Sequence, residues 1–132
     1  MANENKTNYS ATIAWASKEL SKREQLKMLD TTGAIKLDKA TEDAENGEVI
    51  LTPAVLVELD VHNEKAQGRE KDYKNYVVAD KEGKTYVTGS ASFWKSLREI
   101  DAIMDGEEYS VRVYRVPSKN YAGKEFISCT II

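Results

Sequence analysis

The sequence predicts a mainly β fold, a β-barrel of five strands with one helix between strands 3 and 4, behind a short N-terminal helical extension. Three observations carry this expectation. In "AVLVELDVHN", Val55, Val57, Leu59 and Val61 alternate with Glu58, Asp60 and His62, the period of a strand with one face in a core. "YKNYVVAD" and "TYVTGS" are β-branched and aromatic runs separated by the turn chemistry of "KEGK". "SFWKSLREIDAIMDG" then changes period: Phe93, Leu97, Ile100 and Met104 fall on one helical stripe, Ser92 can cap its start, and Gly106 stands where a helix should stop.

The remaining elements follow in order. The first eight residues are polar and expected to be mobile. "WASKELSKREQLKML", Trp15 to Leu29, mixes apolar residues and charges at roughly helical spacing and predicts a short helix, with Trp15 as a docking side chain. "TTGAIKLDKA" carries a Gly-centred turn and no firm assignment, and the acidic "TEDAENGE" reads as a solvated linker. These divide the chain into an extension over 1–47 and a barrel domain over 48–132. Two final strands, "EYSVRVYRV" and "KEFISCTII", are joined by "PSKNYAGK". The order strand, strand, strand, helix, strand, strand is that of the OB-fold, whose sheet face and inter-strand loops commonly bind oligonucleotides.

Composition sets the outer limits. At 132 residues the chain suits one domain. No run reaches the length of about 18 to 20 apolar residues that a membrane span needs, and the N-terminus lacks a signal-peptide core, so a cytoplasmic protein without membrane contact is expected. With Cys129 the only cysteine and His62 the only histidine, neither a zinc cluster nor a Cys/His nucleophile pair can be assembled, and no phosphate-cradling GxxxxGK[ST] occurs. No enzyme, metal or cofactor is expected. Cys129 in "FISCTII" suits a buried apolar position, and His62 a surface one.

The net charge of −3 argues against coating of duplex DNA by bulk electrostatics, but the charge is unevenly spread. From residue 110 onward Arg112, Arg115, Lys119 and Lys124 face only Glu125. Strand parity puts Arg112 and Tyr114 on one face of the fourth strand, and Phe126 outward on the fifth, with Ile127, Cys129 and Ile131 in the core. If Lys74 and Tyr76 of the second strand join them, cations and rings lie side by side, the chemistry that stacks unpaired bases and tracks phosphates. Two loops would flank this face, one with Lys65, Arg69 and Lys71 around Gly68, the other with Lys119, Tyr121 and Lys124. Phe93 and Trp94, on the helix, are expected to plug the core.

Over "HNEKAQGREKDYKNYVVADKEGKTYVTGSASFWKSLREI" and "YRVPSKNYAGKEFISCTII" the chain resembles the OB-fold single-stranded DNA-binding proteins of Gram-positive phages and conjugative plasmids or other mobile elements. The resemblance covers about residues 48 to 132. It implies coating of single strands in DNA replication, repair or conjugative transfer, with RNA as an alternative strand. Cellular bacterial proteins of this function append an acidic tail with a hydrophobic tip. This chain closes on Ile131 and Ile132 in an expected strand, so recruitment through such a tail is not expected. Self-association along DNA through the N-terminal segment would take its place. A protein-interaction module using the same aromatic face is the alternative, since rings and Arg are also enriched at protein interfaces.

Overall fold

A computed structural model describes residues 9–64, 71–120 and 122–132, with the backbone alone for Tyr9. The expectation of a mobile start over the first eight residues lies outside them. Along the chain run β1 (Tyr9–Ala16), α1 (Lys22–Leu29), β2 (Ile35–Lys36), α2 (Leu37–Asp43), β3 (Glu48–Leu51), β4 (Pro53–Asn63), β5 (Asp72–Asp80), β6 (Thr85–Thr88), α3 (Ala91–Met104), β7 (Val111–Pro117) and β8 (Glu125–Ile131). The fold is mainly β, and its described strands form two sheets, ordered β1-β4-β5-β6-β2 and β3-β7-β8.

The expected five-stranded barrel is not what forms: the described strands make two sheets. β3 and β4 are nearly one strand, and they change partners at Thr52 and Pro53: Leu51 pairs with Val111 of β7, while β4 pairs with β5. Proline has no N–H to give to a ladder, so the switch falls where a hydrogen bond would be lost anyway. At the far side β6 and β8 do not pair. Instead the hydroxyl of Ser92 donates to the Ile127 carbonyl at 3.0 Å, and β6 takes the two-residue β2 as a parallel neighbour.

The N-terminal third departs most from expectation. Trp15 lies on β1, antiparallel to β4, and the helix begins only at Lys22. Its start is fixed by a capping box: Ser21 Oγ accepts from the Glu24 N–H at 3.1 Å, and Glu24 Oε1 accepts from the Ser21 N–H at 2.9 Å. Part of the expected acidic linker is helical, because Leu37 and Thr41 of α2 are wholly buried.

Two apolar clusters result. Between the sheets Leu56, Val78, Phe93, Trp94, Leu97, Val111 and Ile127 form the main core, so Phe93 and Trp94 plug it as expected. Val55, Val57, Leu59 and Val61, the alternating set of β4, do not enter that core. They join Val77 and are covered by Met28 of α1, with Leu20 and Leu29 alongside. On the other face of β4 Leu56 is buried in the main core, whereas Glu58 is half-buried and Asp60 exposed, so the alternation seen in the sequence marks the face under α1.

The other turns follow local chemistry. Asp80 Oδ1 accepts from the N–H groups of Glu82 and Lys84, both at 2.9 Å, and Gly83 turns at φ +92° between β5 and β6. Ser90, not Ser92, caps α3, and Asp105 with Gly106 ends it in the left-handed region. Cys129 is buried as expected, and burial pushes its thiol up to about 11. Among the described residues no helix is long and apolar enough to cross a membrane.

Candidate nucleic-acid interface

The sequence expectation set Tyr76 and Lys74 on an open face; the structure buries Tyr76 and leaves Lys74 exposed. Tyr76 is buried, its ring stacked on Trp94 with centroids 4.8 Å apart and planes inclined by 17°. The stack continues to Trp15, edge-on to Trp94 at 6.2 Å, and the Arg98 guanidinium covers Trp15 at 3.7 Å. Trp94 also donates through Nε1 to Glu58 Oε1 at 3.0 Å. Burial raises the Tyr76 phenol, and no base can reach its faces. Lys74 is exposed but shared between Asp60 at 2.7 Å and Glu58 at 2.9 Å, two bonds that hold its ammonium well above the ordinary lysine range.

Arg115 is likewise engaged. Its Nε donates to Glu125 at 2.8 Å, and its Nη1 donates to the Asp38 carbonyl at 3.1 Å and to Thr41 Oγ1 at 3.2 Å. It straps α2 across β7 and β8. Lys71 pairs with Glu64 at 3.2 Å. Lys65, Arg69 and Tyr121 lie outside the described residues.

Three expected residues, Arg112, Tyr114 and Phe126, do come together on the outer side of the β7–β8 hairpin. In the register Arg112 faces Thr130, Tyr114 faces Ser128 and Val116 faces Phe126, so Tyr114 and Phe126 are diagonal neighbours. The Arg112 guanidinium stands 5.7 Å from the centre of the Tyr114 ring, and Glu48 is a loose partner at 3.7 Å. Phe126 is 39% exposed, high for a ring of its size. Beyond it Lys124 is exposed, as is Lys119 across the turn, and neither makes an ion pair among the described residues.

Phe126 is also the lip of an open groove of about 960 Å³. Its floor is Tyr73 and Asn75 of β5 with Val87 of β6, and one wall is α2 with Asp38 and Glu42. Sequence reasoning missed Tyr73 and Asn75. Their signal was present, since they share parity with Val77, but β5 carries apolar residues on both faces and the open one was assigned to the other set.

Near the end of β4, His62 sits between two carboxylates: Nδ1 is 2.6 Å from Asp72 and Nε2 is 2.7 Å from Glu64. The bond to Asp72, then that to Glu64, raises the imidazole above its ordinary value. Among the described residues no cluster of His, Cys, Asp and Glu is arranged to hold a metal ion. Compared with protein-family models, with curated proteins and with solved structures, the chain gives no match.

Proposed function

We propose that this chain is a non-catalytic, largely sequence-independent single-stranded DNA-binding protein, and that residues 48–132 are an open variant of the OB arrangement. The observation that carries the reading is the ribbon of exposed Arg112, half-buried Tyr114 and exposed Phe126 running into the groove over β5 and β6, with Lys119 and Lys124 at its end. Stacking on such rings is worth about 1 to 3 kcal/mol per base and is indifferent to sequence. In the groove's lining Asp38, Glu42 and Glu125 outnumber Lys36 and Lys39 and leave no net positive charge for phosphate, so bases enter the groove and the backbone follows the lysines of the hairpin tip. The fold reading is supported by β3 and β4 acting as one bent strand shared by both sheets, and by α3 standing between β6 and β7.

The test is fluorescence anisotropy of labelled oligo-dT and a matched duplex at two salt concentrations. Salt-sensitive preference for the single strand, weakened in Tyr114→Ala and Phe126→Ala, is the expected outcome. A folded protein that ignores oligo-dT at low salt overturns the reading, and the ribbon must then serve a protein partner.

A further inference from the structure

β1 is the outermost strand of its sheet, with β4 on one side and, among the described residues, nothing on the other. Natural edge strands are usually blunted by charge, proline or brevity. β1 has eight residues, Tyr9–Ala16, without a charge or a proline. The remaining edges are protected: β2 has two residues, β3 has four and carries Glu48, and β8 is met at Ile127 by the hydroxyl of Ser92. β1 is also held firmly, because Trp15 is gripped between Arg98 and Trp94. Its one irregularity falls between Ile13 and Trp15, leaving Tyr9–Ile13 in regular register.

The geometry points to antiparallel pairing of β1 with β1 of a second copy of this chain, joining the two sheets edge to edge across a two-fold axis. A two-fold pairs residue i of one copy with j of the other and j with i, and sets only the residue on the axis against itself; with the axis at Thr12, a charge there would meet its like. This segment is neutral throughout, which suits a second copy better than a charged partner. Ser10, Thr12 and Ala14 are exposed, whereas Ala11 and Ile13 are half-buried on the face where Ile13, Ala16 and Leu20 line a small groove of about 280 Å³ that can receive the partner's apolar side chains. With strands spaced about 4.8 Å apart, the groove over β5 and β6 lies two to three strands away and stays open.

The full chain, free of nucleic acid, is measured by light scattering and sedimentation equilibrium across concentration, so the outcome is independent of the proposed function. The wild type is expected to dimerise. Thr12→Lys and Thr12→Glu each raise the dissociation constant about tenfold or more, and an equimolar mixture of the two restores the dimer. Circular dichroism checks that both variants fold. As a readout that needs no variant, amides of Ser10 to Ile13 exchange more slowly as wild-type concentration rises. A wild type that stays monomeric at the highest attainable concentration, a dimer indifferent to both charges, or amides unprotected at every concentration overturns the proposal.

Discussion

Tyr76 and Tyr114 are both strand tyrosines two residues from a cation, yet one is packed against Trp94 in the core and the other lies half-buried on the outer face beside Arg112. The difference comes from what covers each sheet. The second sheet has one covered face, so Val111 and Val113 turn inward and Tyr114 outward without ambiguity. β5 is covered on both sides, by α3 within the core and by α1 over part of its outer face, so an aromatic residue there is as likely to serve packing as recognition. A ring's role depends on how many layers its sheet has.

Substitutions can break or sharpen this contrast. The largest effect is expected from Trp94→Ala, which removes the centre of the stack and the partner of Glu58. The loss is about 3 to 5 kcal/mol of stability, measured by urea unfolding. Tyr114→Ala and Phe126→Ala are expected to reverse the pattern, leaving stability within about 1 kcal/mol while weakening oligo-dT binding about tenfold. Equal destabilisation by all three would erase the distinction between the regions. Arg115→Ala, which frees the Asp38 carbonyl and Thr41 from their strap, should cost about 1 to 2 kcal/mol in the same unfolding assay. The smallest effect concerns His62. Its value in the folded protein is raised, so its contribution is complete below the ordinary imidazole value of about 6.5 and is lost as pH rises through the higher folded value. An NMR titration of the imidazole should place its midpoint above that ordinary value. Asp72→Asn should bring it down.

Much of the fold was legible because local signals and tertiary demands agreed. The β5–β6 hairpin, the stripe of α3 and the inward residues Val111, Val113, Ile127 and Cys129 appear where period and turn residues place them, while Ile131, expected to share their face in the core, is exposed at the strand's end. β1 was hidden, although Ala11 and Ile13 alternate with Ser10 and Thr12, because the nearby charges after Trp15 drew the helix too far forward. The capping box at Ser21 marked the true start. The partners of Lys74 and Arg115 could not be read from sequence: the ion-pair partners of Lys74 lie 14 and 16 positions away, and the hydroxyl and carbonyl that Arg115 hydrogen-bonds besides its ion pair with Glu125 lie 74 and 77 positions away. Charge counted along the chain therefore overstated the cations available at the surface.

The chain's two tryptophans stand in one stack, 6.2 Å apart, remote in role from the Tyr114–Phe126 ribbon. Intrinsic fluorescence excited at the indole band consequently reports the docking of β1 on α3 and little else. It is a built-in gauge of folding, dark to a strand lying on the hairpin, so occupancy of that surface has to be followed from a label on the ligand.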